Sequence, residues 1–277
     1  MNKFDDFNSM LRQDDTIFHY TKGSIVLENI FSTKQLRFSS LKNTNDPREY
    51  KHWIGSGASG SDLSSCKDFD KKWNKAKQEL DHIRIFDFKV SSFCSNKLKL
   101  TDHNDESNKI PGYTKSRMWA QYGDNHYGVC LVFSIQRMVE AIKNQLGNEV
   151  IFFHDRVDYS PDSSVPFEFR NLDGNALIEA EDLHEFALNH INRHYKKVFF
   201  IKHIDYQDED EFKFIVYYPG AEYFFLDISA CIQAVIVGDR FHEVYRPLVK
   251  QFCSALNIEY HRLYWSDGRS CLIYKEA

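Results

Sequence analysis

The sequence lacks a cysteine framework and any long apolar run. Its six cysteines include no Cys-x-x-Cys pair, so we interpret them as reduced core residues and not as a disulfide scaffold. No apolar stretch approaches the roughly 18 residues of a membrane span, and the N-terminus has no charged and then apolar leader. These absences predict a cytoplasmic protein without contact to a membrane.

A strong net charge and the common nucleotide-binding motifs are also missing. The formal charge is −5, so general affinity for nucleic acids is not indicated, and any such contact would need a local patch. The candidates for that patch are Lys196, Lys197, Lys202 and His203. Residues 55–61 are rich in Gly and Ser but lack the Lys-Ser/Thr ending of a P-loop, and there is no Gly-x-Gly-x-x-Gly. A doubly wound nucleotide fold is therefore not expected.

Aromatic residues are abundant. The 277 residues include 23 Phe and 15 Tyr, and 42% of the chain is apolar, which is enough for a large core. The length is within the range of one mixed domain with helical insertions. We therefore predict a single domain over residues 1–277 with a core rich in packed rings.

The order of apolar patterns predicts the fold class. Helices are expected at residues 3–13, 24–33, 65–85, 134–146, 176–202 and 243–256. Strands are expected at residues 16–21, 36–39, 88–94, 128–133, 149–159, 211–218, 222–228, 231–237 and 259–264, and residues 96–115 are expected to form a long loop. Hairpin-linked strands with helices between them indicate an α+β domain with a mixed or mainly antiparallel sheet. Its main helical insertion is expected around residues 175–203.

Three separated segments combine reactive or polar groups with a strand. A loop that contains Trp119, Tyr122 and Asn125 leads directly into an apolar strand. His19 lies on an earlier strand, and Glu211 begins a later one. Since ligands bind where polar groups converge at strand edges, we predict that the three segments meet in one cleft.

An acidic-x-Lys strand offers a second interpretation. Glu211 and Lys213, together with Asp46 or Asp205, could hold Mg²⁺ and activate water as in a nuclease. This pattern often occurs by chance, and the acidic chain offers no phosphate track. It stays an alternative.

His190 and His194 are one helical turn apart, a spacing that suits zinc. The zinc protease pattern would need a histidine where Leu188 stands, and no third ligand is close in the sequence. We assign no metal.

Five short segments resemble, in order, those of a large bacterial family of unknown function that is often encountered in mobile or defence-associated contexts. They are Leu36-Arg-Phe-Ser39, Asn45-Asp46-Pro47-Arg-Glu49, Ser91-Ser-Phe-Cys-Ser95, residues 119–133 and Glu209-Asp-Glu211-Phe-Lys213. The last segment departs from the family pattern, because Lys213 stands where Arg would be usual. The resemblance implies a defence-system partner protein but no activity.

A more distant resemblance suggests a reaction. The His19 strand, the helix and the strand after it, and a late Glu are similar to the split sheet of ADP-ribosyltransferases, which use a His or Arg, then a Ser or Tyr, then a Glu. The resemblance implies NAD as a substrate, with His19 on its adenosine-side ribose. It also implies that Glu211, with Glu209 in reserve, stabilises the positive charge that develops as nicotinamide leaves.

The resemblance and the converging segments give one set of candidates. The catalytic candidates are Glu211, His19 and Glu209, and the ligand-binding candidates are Tyr20, Thr21, Phe38, Ser39, Ser40, Trp119, Tyr122 and Asn125. The implied function is an ADP-ribosyltransferase-like enzyme that modifies a protein or nucleic-acid acceptor, as a defence or toxin effector. The alternatives are the Mg²⁺-dependent nuclease and a non-enzymatic module that senses a nucleotide or binds a partner.

Overall fold

A ten-stranded sheet forms the centre of the protein in the computed structural model, which describes residues 3–53, 57–60, 68–98, 109–162 and 164–273. We number its strands in chain order. They are β1 (Thr16–Thr21), β2 (Gln35–Ser40), β3 (Phe88–Ser95), β4 (Val129–Ser134), β5 (Phe152–Arg156), β6 (Glu211–Tyr217), β7 (Tyr223–Asp227), β8 (Ile232–Val237), β9 (Glu259–Ser266) and β10 (Arg269–Ile273). Neighbouring strands are antiparallel except β8 and β9, which are parallel. The predicted α+β class with a mixed, mainly antiparallel sheet is confirmed.

Helices connect the strands. The α-helices are Lys3–Met10, Gly23–Ile25, Phe31–Thr33, Pro47–Tyr50, Phe69–His82, Ser116–Gln121, Ile135–Leu146, Phe167–Arg170, Gly174–Glu179, Leu183–Phe199 and Arg246–Leu256. Val26–Ile30 and Ile83–Asp87 are π-helical, and Leu41–Asn43, Gly112–Thr114, Asp124–His126, Ile204–Glu209 and Glu243–Tyr245 are 3₁₀ turns. No helix in the described ranges is long and apolar enough to cross a bilayer.

The predicted helical region around residues 175–203 contains two helices. The Asp182 carboxylate accepts hydrogen bonds from the backbone N–H groups of His184 and Glu185 and so begins the second helix. Residues 149–159, predicted as one strand, also divide. Val157 donates to the Glu211 carbonyl, and the chain then pairs with Ile201–His203.

Short strands form three small pairs outside the main sheet. Gly57–Ser59 pairs with Asn171–Asp173, Asp158–Ser160 with Ile201–His203, and Lys97–Leu98 with Lys109–Ile110. The last pair lies in the predicted long loop, of which residues 99–108 are outside the described residues, as are residues 55, 56 and 61 of the Gly-rich segment 55–61.

The sheet splits at β3. One edge of β3 pairs with β6 from Cys94 opposite Glu211 to Phe88 opposite Tyr217. The other edge pairs with β1 near one end and with β2 near the other. On that edge, residues 91–93 have no partner among the described strands. Because β1 and β2 share one edge and diverge, a gap opens in the sheet between them.

Apolar side chains cover both faces of the sheet, and rings are prominent among them. Phe93 packs edge to face against Phe133 and Phe214, with ring centroids 5.6 and 5.9 Å apart. Elsewhere the Phe88 ring lies 4.9 Å from that of Phe199 and 5.3 Å from that of Tyr217. This packing fits the aromatic content of the sequence and holds the strands on either side of the gap.

Gly128 lies where the loop before β4 crosses β1. Its N–H donates to the Gly123 carbonyl at 2.8 Å, and its carbonyl accepts from the Gly238 N–H at 3.0 Å. A Cβ added at this position would lie 2.2 Å from the Thr21 carbonyl oxygen. Only glycine permits so close an approach of the two backbones.

We expect Gly128→Ala to lower the free energy of unfolding by about 1–3 kcal/mol, because the added Cβ meets backbone atoms that cannot turn away. Urea unfolding followed by circular dichroism measures the change. Gly23→Ala is the matched control, since its Cβ would lie 3.2 Å from the nearest atom, and it should lower stability less. Equal stability of Gly128→Ala and wild type would contradict the close approach.

Candidate functional site

A cavity of about 630 Å³ lies at the gap in the sheet. Its volume is typical of pockets for small molecules, which range from about 300 to 1,000 Å³. It is lined by β1, β2 and β3, by the helical segment after β1, by the turn after β2, by Tyr122 and by residues around the start of β6. The divergence of β1 from β2 therefore creates a cavity large enough for a small molecule.

His19 is on the β1 wall of the cavity. Its Nδ1 lies 3.0 Å from the Ser92 carbonyl oxygen, which can only accept, so Nδ1 carries the proton in this contact. Burial lowers the pKa of His19, although the bond to Ser92 partly opposes the shift. At neutral pH the ring is thus neutral, and Nε2, which has no partner among the residues described, is an acceptor at the cavity.

Ser91 and Ser92 occupy the unpaired edge of β3 and line the same cavity. The Ser91 side chain is buried, and its Oγ has no hydrogen-bond partner in the described residues. Ser92 is exposed towards the gap. A buried hydroxyl without a partner is costly, and the cost falls when a ligand supplies one.

Lys202 joins two of the candidate carboxylates. Its Nζ is 2.8 Å from Glu209 Oε2 and 3.3 Å from Glu211 Oε2. Glu209 ends a 3₁₀ turn, and Asp210 has left-handed backbone angles with φ 43° before β6 begins at Glu211. The turn at Asp210 brings both carboxylates to one lysine, so Glu209 does not lie on the strand with Glu211.

The Glu209 and Glu211 carboxylates differ in whether one of their oxygens lacks a protein partner in the described structure. Glu209 Oε2 contacts Lys202, and Glu209 Oε1 accepts from the Tyr122 hydroxyl at 2.8 Å. Both contacts of Glu211 with lysines involve Oε2, so its Oε1 has no protein partner in the described structure. Glu211 is therefore better placed to contact a ligand, and Glu209 is a positioning residue for Lys202 and Tyr122.

A second lysine, Lys213, extends this network to Glu49. Its Nζ contacts Glu49 Oε1 and lies 3.7 Å from Glu211 Oε2. Burial alone would raise the pKa of Glu49, but Lys213 outweighs it and the pKa lies below its ordinary value. Burial disfavours charge on Lys202 and Lys213, but the nearby carboxylates raise the pKa of both. Both lysines are therefore cationic at neutral pH.

We call Glu49, Glu209, Glu211, Lys202 and Lys213 the acidic network. Three carboxylates against two ammonium groups leave a formal charge of −1. All five side chains are less than a tenth exposed, so this charge is weakly screened. The network can stabilise a positive group in the adjoining cavity.

The Asn45-Asp46-Pro47 turn holds Glu49 in position. The Asp46 carboxylate accepts from the Arg48 N–H at 2.9 Å and caps the short helix Pro47–Tyr50. The buried Arg84 guanidinium donates to the Glu49 carbonyl at 2.6 Å. Burial lowers the pKa of Arg84 to about 10, although Asp81 opposes the shift. The turn and Arg84 fix the backbone from which Glu49 reaches Lys213.

Tyr122 joins the turn to the acidic network. Its hydroxyl accepts from Asn45 Nδ2 at 3.1 Å and donates to Glu209. Burial and the neighbouring Glu209 raise the pKa of Tyr122, so the hydroxyl keeps its proton. On the other side, the Tyr159 hydroxyl accepts from the Glu211 N–H at 2.8 Å and fixes the start of β6.

Seven of the eleven candidates from the sequence line the cavity: His19, Tyr20, Thr21, Ser39, Tyr122, Glu209 and Glu211. The other four lie elsewhere. Phe38 is fully buried and packs against Phe224, and Ser40, two residues further along β2, is also buried. Trp119 is fully buried, with its indole N–H donating to the Tyr113 carbonyl. Asn125 is exposed in a turn with φ 51°.

Several residues of the site did not stand out in the sequence. The sequence indicates the Asn-Asp-Pro turn that Glu49 follows. It does not indicate that the Glu49 side chain contacts Lys213. The sequence suggests a basic surface patch that contains Lys196, Lys197, Lys202 and His203. That patch does not form, because Lys202 is buried while Lys196 pairs with Asp155 and Lys197 pairs with Glu168.

The carboxylates of the nuclease alternative do not converge. Asp46 caps a helix, and Asp205 pairs with His203 on the surface, whereas Glu211 contacts lysines. His190 Nε2 donates a hydrogen bond to the Phe169 carbonyl at 2.9 Å, so that nitrogen carries a proton in this contact. Within the described residues, no three His, Cys, Asp or Glu side chains are grouped to hold a metal ion.

Comparison with known proteins gives one match. No curated protein and no solved structure is significantly similar to the chain. Residues 118–214 match the model of a family described as a protein of unknown function, DUF2971. The matched region contains Tyr122, Lys202, Glu209, Glu211 and Lys213 of the site, so this segment of the chain is similar to a domain family of unknown function.

Proposed function

We propose that the protein is an ADP-ribosyltransferase-like enzyme that uses NAD to modify a macromolecule. The observation that carries the proposal is the cavity at the split of the sheet, which His19 and Glu211 both line. The reaction breaks the bond between the nicotinamide nitrogen and C1′ of the ribose. Nicotinamide leaves with the bonding electrons, and an acceptor nucleophile bonds to C1′ as it loses a proton.

Glu211 has the role that this reaction demands of a carboxylate. Its Oε1 is the oxygen without a protein partner in the described chain, so it can accept a hydrogen bond from a ribose hydroxyl. Positive charge develops on the ribose as the bond breaks, and the formal charge of −1 on the acidic network stabilises it. Lys202 and Lys213 hold Glu211 in place from one side.

His19 is suited to bind the other ribose. Its Nδ1 is occupied by the Ser92 carbonyl, which leaves Nε2 to accept a hydrogen bond from a hydroxyl. Because the imidazole is held by backbone, its orientation does not depend on the ligand. The Ser91 hydroxyl, buried at the same edge of β3, supplies a further hydrogen bond at the cavity.

The acceptor is proposed to be a protein or nucleic acid. The defence setting of the family that the five segments resemble supports a role as a bacterial effector that acts on such a target or with a partner protein. Ile25 and Phe225 at the cavity are each about two-fifths exposed. Exposed apolar side chains beside a site are typical of surfaces that contact macromolecules.

A nucleotide-binding module without turnover is the second candidate. The observation that favours it is the pairing of every carboxylate in the acidic network with a lysine. Such pairing neutralises most of the charge on which catalysis would depend. This candidate predicts saturable binding without release of nicotinamide.

The test is incubation of the full chain with NAD and quantification of free nicotinamide by liquid chromatography. We expect nicotinamide release above the rate without protein, and transfer of label from NAD labelled in the adenosine part to a macromolecule in a bacterial extract. Saturable NAD binding without either product would identify the non-enzymatic module and refute the transferase. The absence of both NAD binding and nicotinamide release would refute the transferase and the non-enzymatic module alike.

A further inference from the structure

Arg37 is a cation at the cavity that belongs to no ion pair among the residues the structure describes. It lies on β2, it is exposed, and it lines the cavity. Its guanidinium carbon is 4.9 Å from the centroid of the Tyr223 ring. No carboxylate in the described residues contacts it. Its five N–H donors are therefore available to an anionic ligand.

Two rings lie on the same face of the sheet as Arg37. On β2 and β7, Arg37 is opposite Phe225 and Ser39 is opposite Tyr223. Because alternate residues share a face, these four side chains face one way, and all of them line the cavity. Phe225 is 43% exposed, which leaves its ring face accessible to a flat ligand.

The lining of the cavity thus has two oppositely charged parts, which are Arg37 on β2 and the acidic network around Lys202 and the start of β6. The acidic network has a formal charge of −1 and repels a phosphate, whereas Arg37 attracts one. Guanidinium groups bind phosphate oxygens through paired hydrogen bonds, and aromatic rings stack on nucleobases. A ligand with a positive end and a phosphate-bearing end would therefore bind in one direction.

We propose that Arg37, Tyr223 and Phe225 form a subsite for a nucleoside 5′-diphosphate, with Arg37 on the phosphates and a ring against the base. The proposal rests on the proposed function for the identity of the whole ligand, since it places the adenosine diphosphate half of NAD on this face. It makes Arg37 the residue that sets the direction in which the dinucleotide binds.

The subsite can be tested with ligands that contain no nicotinamide. Isothermal titration calorimetry would compare ADP and adenosine on the full chain at low salt. We expect wild type to bind ADP at least about tenfold more tightly than adenosine, because a charge-assisted contact is lost in the nucleoside. Arg37→Gln should reduce the preference for ADP to about threefold or less. Phe225→Ala should weaken both ligands by a similar factor.

Arg193→Gln is the matched control, because Arg193 is an exposed arginine on the helix Leu183–Phe199 that does not line the cavity. It should bind both ligands as wild type does. The proposal is overturned if wild type does not bind ADP, if it binds adenosine equally well, or if Arg37→Gln keeps the wild-type preference. Unchanged adenosine binding in Phe225→Ala would overturn the role of the ring.

These outcomes are independent of turnover. The expected ADP pattern without any nicotinamide release from NAD would refute the transferase and leave the subsite in place. Nicotinamide release from NAD, together with an unchanged preference for ADP in Arg37→Gln, would support the transferase and refute the subsite.

Discussion

Glu211→Gln is expected to lower the rate of nicotinamide release from NAD by on the order of a hundredfold or more, because the amide keeps the shape of the side chain but removes its negative charge. The loss should appear in kcat, since the charge acts on the ribose as the bond breaks and much less on the bound ground state. Initial rates over a range of NAD concentrations measure it.

The fold should survive this substitution. In the variant, Lys202 still pairs with Glu209 and Lys213 still pairs with Glu49, so neither ammonium group is left without a carboxylate. Glu243→Gln is the matched control. It makes the same chemical change at an exposed side chain that does not line the cavity. Undiminished release by a folded Glu211→Gln protein would remove Glu211 from the mechanism.

Lys213→Met is expected to lower the free energy of unfolding by about 3–5 kcal/mol at pH 7, because it leaves the buried Glu49 carboxylate without its cation. Lys213 and Glu49 are both less than a tenth exposed, so solvent cannot replace the lost contact. Urea unfolding monitored by circular dichroism gives the change. Lys75→Met, at an exposed position on the helix Phe69–His82, should change stability by less than about 0.5 kcal/mol.

The loss of stability in Lys213→Met should depend on pH, because Glu49 titrates at a different pH in the two proteins. In wild type the folded pKa of Glu49 lies below the reference value of 4.5, so its contribution is present above that pH and is lost as pH falls through the folded pKa. In Lys213→Met, Lys213 no longer opposes the effect of burial, so we expect the pKa of Glu49 to rise. The difference in stability between the two proteins should therefore be largest at neutral pH and shrink below about pH 4.5.

A double variant separates charge from packing. Glu49→Gln combined with Lys213→Met removes both charges of the pair, so its loss of stability should be smaller than the sum of the two single losses by about 0.5–3 kcal/mol. Strict additivity of the three variants would show that the Glu49–Lys213 contact contributes nothing beyond the separate side chains.

The strands around the site could be predicted from sequence because their local patterns are strong. Thr16–Thr21 has the bounds that its β-branched and aromatic residues indicate. Strand geometry also bears on the candidates of β2. Phe38 and Ser39 point to opposite sides of β2, because successive side chains of a strand do so, and only one of the two lines the cavity. In the structure Ser39 does, while Phe38 packs in the core.

Other parts of the site depend on contacts that no local pattern contains. Glu49 and Lys213 are 164 residues apart in the chain, and Lys202 reaches two glutamates only because Asp210 turns the backbone. The hairpin of β9 and β10 was also absent from the prediction, although Asp267 and Gly268 have the positive φ angles of a tight turn. Such features follow from tertiary structure, which overrides local preference.

The great chain distance between Glu49 and Lys213 has a consequence during synthesis. A ribosome makes the chain from its N-terminus, so His19 and the Asn45-Asp46-Pro47 turn emerge long before β6. A nascent chain that ends before Lys213 has neither the cation for Glu49 nor the strand that completes β3 on its fully paired edge. The part of the cavity that Glu211 lines therefore assembles only after about three-quarters of the protein has been translated.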